Sequence, residues 1–160
     1  MFNYRMADLE DTDILAHLRV LMLSDGIDLT EEYKDRLLSN TKQYMKNGFM
    51  DKSYEVLVAE FNGEIIAMSG LTFYILPPNE WCPGGKTAYI GGIYTMPVFR
   101  RQGIASELLS RSVEEAKRLG CERIQLHTTD MGRPIYEKYG FEDSLSSMAY
   151  FPFGKAGITQ

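Results

Sequence analysis

Two apolar periods succeed one another along this chain. Between residues 8 and 23, Ile14, Leu15, Leu18, Leu21 and Met22 recur at helical spacing, which predicts a helix with Asp8 as its cap. Residues 24–28 read as a loop. Thr30, followed by Glu31 and Glu32 in the first turn, starts a second predicted helix that runs to about residue 46, with Gly48 as its stop. From Tyr54 onward the pattern is that of strands. Segments 55–61 and 64–76 are joined by Asn62-Gly63, a strong hairpin signal, and Pro77-Pro78 ends the second of them. Pro83-Gly84-Gly85 reads as a hairpin loop leading into a strand over 87–96. In 103–119 the helical period returns, with Ile104, Ala105, Leu108, Leu109, Val113, Ala116 and Leu119 on one stripe. A strand over 123–127, a short helix over 132–139 and a last strand over 146–151 follow, and 2–6 reads as a short opening strand. The order β-αα-βββ-α-β-α-β predicts an α/β fold, a mixed sheet with helices on both faces. One domain over 1–160 is expected, with a loose tail from about residue 154.

Composition narrows the classes without choosing among them. The chain is 44% hydrophobic and 24% charged, values of an ordinary globular protein. No apolar run approaches the about 18 residues of a membrane span, and the start lacks a signal-peptide pattern, so a cytoplasmic protein without a membrane partner is expected. Cys82 and Cys121 have no metal-ligand spacing and read as reduced structural thiols, with no metal expected. A net charge of −5 argues against nonspecific nucleic-acid binding and mildly favours a cationic amine.

Candidate chemistry concentrates where the strand ending at Met96-Pro97 passes into Arg100-Arg-Gln-Gly-Ile-Ala105 and then a helix. A helix start leaves amides without intrahelical acceptors and carries a partial positive charge. Gly103 permits close backbone approach, Ala105 adds little bulk and two arginines flank the entrance, so this junction suits a diphosphate. The same residues also fit an ordinary strand-to-helix turn with a basic surface. Two other nucleotide motifs are excluded by counting. Gly103 stands alone where a dinucleotide fingerprint needs three glycines, and Gly84-Gly-Lys-Thr87 has Glu80 where a P-loop needs glycine.

Arg100, Gly103 and Ala105 match the acyl-CoA motif R/Q-x-x-G-x-G/A, and Gly132-Arg-Pro-Ile-Tyr-Glu-Lys-Tyr-Gly-Phe141 is similar to an L-Y-x-x-x-G-F helix. With the strand order above, residues 89–141 resemble the GNAT superfamily of acetyl-coenzyme A-dependent N-acetyltransferases. The resemblance implies acetyl-CoA as co-substrate and a V-shaped slot between the strands over 87–96 and 123–127. Backbone groups of Ile93 and Thr95 would pair with the pantetheine arm, as a ligand adding to a sheet edge, with Tyr94 between them a further cofactor-binding candidate. The amides of Arg101, Gln102, Gly103, Ile104 and Ala105 would hold the pyrophosphate, Arg100 would add charge, Ser106 is a further cofactor-binding candidate, and Arg133 is either a cofactor contact or a solvent-facing arginine.

The resemblance also implies direct attack of a neutral amine on a thioester. Tyr136 falls where many members carry a tyrosine general acid. A phenol near pKa 10 against a thiol near 8.5 makes complete transfer uphill by about 2 kcal/mol, so hydrogen bonding as charge develops is the expected role. A lysine-like amine is neutral only about one part in a thousand at physiological pH, a cost of about 4 kcal/mol. Some members supply a glutamate base at the position held here by Tyr89, and Thr129 stands where asparagine is frequent. Asp130, His127 and Glu55 are candidate bases and none is assigned; each also reads as a cap, a strand-end residue or a solvated charge. Asp25, Asp28, Glu31 and Glu32 offer negative charge to an acceptor, or simply complement a helix dipole.

The expected function is transfer of an acetyl group from acetyl-CoA to a primary amine of a small molecule or peptide. The alternatives are a noncatalytic acyl-CoA-binding or sensing module, prompted by the missing glutamate, and transfer of a longer acyl group. The apolar segment 148–151 is a candidate edge strand for a homodimer.

Overall fold

The computed structural model describes residues 1–144 and 148–154. Five strands form one sheet in the order β1-β2-β3-β4-β5: β1 (Asn3–Met6), β2 (Tyr54–Phe61), β3 (Glu64–Ile75), β4 (Lys86–Thr95) and β5 (Arg123–Leu126). The first four are antiparallel neighbours, and β5 joins β4 in parallel. Helices α1 (Thr12–Ser24) and α2 (Glu31–Asp51) cover one face, while α3 (Ile104–Arg118) and α4 (Arg133–Tyr139) cover the other. The mixed α/β architecture with helices on both faces is therefore the one the sequence predicts.

Alternation along the strands sorts the core into two layers. Leu57, Ala59, Ala67, Leu71, Ala88 and Ile90 meet Ile104, Leu108, Leu109 and Val113 of α3. Val56, Val58 and Met68 on the opposite face meet Leu15, Leu18 and Met45 of the first two helices. Asn62 and Gly63 turn the β2–β3 hairpin with φ of 52° and 84°, the left-handed pair that a two-residue turn demands.

Four expectations need correction. In α1 the buried face is Thr12, Leu15, Ala16 and Leu18, whereas Ile14 and Leu21 are exposed. The stripe is set one step round because Asp8 caps a separate turn, Leu9–Asp11, ahead of the helix. Gly48 does not stop α2, which continues to Asp51 and is capped by Lys52 at φ 64°. A Cβ at Gly48 would stand 2.3 Å from Cβ of Tyr54, so the glycine is needed for close packing rather than termination. The predicted strand over 146–151 lies partly outside the described residues, and residues 148–151 are not in a strand. Its physical motive for pairing two copies, an edge strand, is thus missing from those four residues.

Between β3 and β4 the register shifts: Leu71 faces Ile90 and Ser69 faces Ile93, so Gly91 and Gly92 together oppose Gly70. This is a β-bulge, which bends and twists the bulged strand. Gly92 takes φ 135°, and a Cβ there would lie 2.7 Å from Cε of Met22. On the other side, β4 pairs with β5 only through residues 87–90 against 123–126. Pairing ends at the residue before the bulge. From 91 to 95, β4 has β3 on one flank and no strand on the other among the described residues.

Candidate active site

The turn after β4 is pinned from below. Phe99, in the short helical turn Pro97–Phe99, packs against Phe2 and Phe61 with ring centroids 6.4 and 5.4 Å away. Above it Arg101 and Gly103 both adopt left-handed backbone, at φ 64° and 83°. Glu107 is the first residue of the region whose amide reaches a carbonyl, that of Gly103 at 3.1 Å. The amides of residues 101–106 donate to no described acceptor, and no side chain caps α3. Consecutive free N–H groups next to a left-handed residue and a helix start form an anion-binding concavity.

The predicted phosphate residues sort by exposure around that concavity. Arg101, Gln102, Gly103 and Ser106 are exposed, Ala105 is half-buried, and Ile104 sends its side chain into the core. Nothing lies within 4 Å of a Cβ built on Gly103, so a ligand can approach the backbone there. Arg100 turns away from the amides. Its Nε donates to the carbonyl of Thr95 at 2.9 Å, its Nη2 lies 3.4 Å from Asp25, and its guanidinium stands 5.7 Å over the Tyr94 ring.

Ile93, Tyr94 and Thr95 occupy the flank of β4 freed by the bulge. Tyr94 packs its ring into the α1–α2 layer, while Thr95 points to the other face. Thr95 Oγ1 is buried and has no described hydrogen-bond partner, which suits a site that a polar ligand completes.

A cavity of about 500 Å³ lies against β5, lined by Tyr74, Tyr89, His127, Arg133, Tyr136 and Phe141 among others. Tyr136 is 8% exposed and burial pushes its phenol up. Its hydroxyl has no described partner, and its ring meets Phe141 edge-on at 6.0 Å. Tyr139, three residues on, is exposed instead. The hydroxyl of Tyr89 lies 2.8 Å from Nδ1 of His127, and that of Tyr74 donates to Oε1 of Gln125 at 2.8 Å. Arg133 also borders the cavity, but its Nη1 is held by Asp143 at 2.9 Å and Glu137 at 3.3 Å. Those carboxylates push its guanidinium up.

The remaining candidate bases fall elsewhere. Glu55 lies under α3 near Glu115, away from the cavity lining, and Asp130 is exposed outside it. Of the acidic loop, Asp25 pairs with Arg100 and Glu31 with Lys34. Sequence reasoning missed Tyr74 and Gln125, because their meeting depends on the β3–β4–β5 register, and it missed Arg19, whose Nη1 donates to Gly91 O at 3.0 Å.

A family model described as the acetyltransferase (GNAT) family matches residues 18–141. The chain belongs to this family. A predicted acetyltransferase from Clostridium acetobutylicum, solved with acetyl-CoA, superposes with a TM-score of 0.85 at 34% identity, covering 94% of this chain and 96% of that one. A GCN5-related N-acetyltransferase from Ralstonia eutropha shares the fold with a TM-score of 0.85 at 24% identity, over 94% and 99% of the two chains. Among sequences, the thialysine N-epsilon-acetyltransferase of Sus scrofa is 24% identical over 77% of this chain and 76% of its own length. Its Mus musculus namesake is 28% identical over 59% of this chain and spans 55% of its own length. No helix among the described residues is long and apolar enough to cross a membrane.

Proposed function

We propose that this GNAT protein transfers the acetyl group of acetyl-CoA to a primary amine of a small molecule or peptide. The observation that carries the reading is the run of unbonded amides at residues 101–106, opening onto the unpaired flank of β4. Acetyl-CoA supplies an acyl group activated as a thioester. The amides of 101–106 hold its pyrophosphate, and the backbone of Ile93 and Thr95 pairs with the pantetheine arm. Thr95 Oγ1 finds a partner on the same arm. The slot fixes the thioester relative to the amine, and Tyr136 donates a hydrogen bond to the sulfur as it departs. The names of the pig and mouse relatives suggest a side-chain-like amine such as that of thialysine as a first acceptor to try.

The test is twofold: calorimetry with CoA, then detection of released thiol across a panel of amines that includes thialysine, polyamines and peptides. Binding plus acceptor-dependent thiol release is the expected result. A second reading, a noncatalytic acyl-CoA-binding module, is favoured by one observation: β4 offers Tyr89 to the cavity where a carboxylate base would stand. Binding without turnover of any amine would establish it. Comparing acetyl-, propionyl- and succinyl-CoA sets the acyl-chain preference.

A further inference from the structure

The proposed transfer leaves one proton unaccounted for. An ammonium acceptor must lose a proton before its nitrogen can attack, and no carboxylate projects from β4 into the cavity. The structure places a different pair there. Tyr89 immediately precedes Ile90, the last residue of β4 paired to β5, and His127 immediately follows Leu126, the last paired residue of β5. Because Tyr89 lies opposite Gln125, and His127 is two residues beyond Gln125, both side chains rise on the same face. They meet at the apex of the slot with Oη and Nδ1 2.8 Å apart and ring centroids separated by 5.6 Å. Tyr136 reaches the same cavity from α4, under the opposite face.

We propose that His127 is the general base of the transfer and that Tyr89 is its positioning residue; this rests on the reading that the protein is an amine acyltransferase. The Tyr89 oxygen accepts Nδ1–H, which leaves the lone pair on Nε2. Protonation at Nε2 keeps the Nδ1–H bond intact, so the imidazolium forms without rearranging the pair. In the step itself an ammonium proton passes to Nε2 and the nitrogen lone pair forms the C–N bond. The C–S bond breaks, the thiolate keeps the Tyr136 hydrogen bond and takes its proton from solvent, and the second nitrogen proton returns to solvent. His127 returns its proton to water, so the net reaction gives amide, CoA thiol and one proton. An imidazole suits this work because Nε2 can take up a proton while Nδ1 keeps its hydrogen bond to Tyr89.

The charged neighbours of the pair are Arg133, held by Glu137 and Asp143, together with Glu142 on the segment after α4. Tyr74 on β3 is bonded to Gln125 and burial pushes its phenol up. An acid limb that disappears in His127→Gln therefore traces to the imidazole and not to these neighbours.

The chain has two histidines, which makes the pair readable directly by nitrogen-detected NMR of the full protein, with His17→Gln used for assignment. The imidazole of His127 is expected in the Nδ1–H form in the native protein and to revert toward the Nε2–H form in Tyr89→Phe. In kinetics with the best amine of the panel, His127→Gln is expected to lower kcat by about a hundredfold and to abolish the acid limb of the pH profile. CoA affinity by calorimetry should stay unchanged. Tyr89→Phe should keep the limb but displace it. A native Nε2–H tautomer, or a His127→Gln enzyme with unchanged kcat and acid limb, overturns the proposal. If CoA binds but no amine turns over, the transfer reading fails and takes the base with it. Undiminished turnover in His127→Gln refutes the base alone.

Discussion

Arg100 Nε donates to the carbonyl of Thr95 at 2.9 Å, so the last residue of β4 is tied to the entrance of the proposed phosphate loop by a charged side chain. The same guanidinium lies over Tyr94 and beside Asp25, at the end of α1. Arginine at this position therefore fixes the strand end, where simple charge would not suffice. A lysine cannot reproduce a planar fork that bonds a carbonyl and a carboxylate while stacking on a ring. Arg100→Lys is expected to lose about 1 kcal/mol of stability, discounted for partial exposure, and to weaken CoA binding several-fold. Thermal unfolding and calorimetry measure the two effects. Unchanged CoA affinity would mean that the strand end holds itself.

Gly103 separates loop strain from ligand contact. Its φ of 83° makes any side chain unfavourable, yet a Cβ would meet nothing within 4 Å. Gly103→Ala should therefore cost the free protein only about 1 kcal/mol, the left-handed penalty, or a few degrees in Tm. CoA affinity should fall further, by tenfold or more, because the methyl enters the space facing the free amides. Equal losses in the free and CoA-bound proteins would show that the concavity is not the phosphate site.

The turn from β4 into α3 was legible in the sequence because its signal is local: Arg100, Gly103 and Ala105 at fixed spacing before an amphipathic helix. The short helix that carries Tyr136 was legible for the same reason. The Tyr89–His127 contact was not, since it joins residues 38 apart through a parallel register that the Gly91–Gly92 bulge ends. Gly48 shows the complementary failure. A glycine after a run of helical spacing reads as a stop, and only its partner reveals a packing role. Gly48→Ala gains helix propensity but drives a methyl to 2.3 Å from Tyr54 Cβ. A net loss of about 2 kcal/mol is expected, read in denaturant unfolding. A stabilised variant would show that the contact with Tyr54 relaxes at little cost.

Glu55 predicts a pH dependence of stability. Burial, and next the carboxylate of Glu115, push its carboxyl up, and its buried Oε2 has no described hydrogen-bond partner. An acid whose folded pKa is raised favours folding when protonated. Its contribution is therefore fully present below the unfolded value near 4.3 and is lost as pH rises through the higher folded value. At pH 7 the ionised group opposes folding. Glu55→Gln should accordingly raise Tm at pH 7 modestly, because solvent screens a carboxyl that is only partly buried, and the gain should disappear by about pH 4. A gain independent of pH would assign the effect to packing.

Tyr136 is placed to give a hydrogen bond without giving up its proton. Burial raises its phenol above the ordinary value of 10, which widens the gap to a thiol near 8.5 and makes complete transfer still less favourable. The hydroxyl is nevertheless free of described partners, so it is available to a sulfur that gains charge. Tyr136→Phe keeps the ring packed on Phe141 and removes only that donor. The variant should fold with native Tm, bind CoA with native affinity and lose kcat by about tenfold to a hundredfold. The sign of the pH effect follows from the same shift: the useful form is the protonated one, and it persists to above pH 10. The native enzyme should therefore show no loss of kcat from this residue on the alkaline side below about pH 10. An alkaline limb near pH 8 that vanishes in Tyr136→Phe would mean that the phenol ionises during turnover, and the hydrogen-bonding role would be wrong.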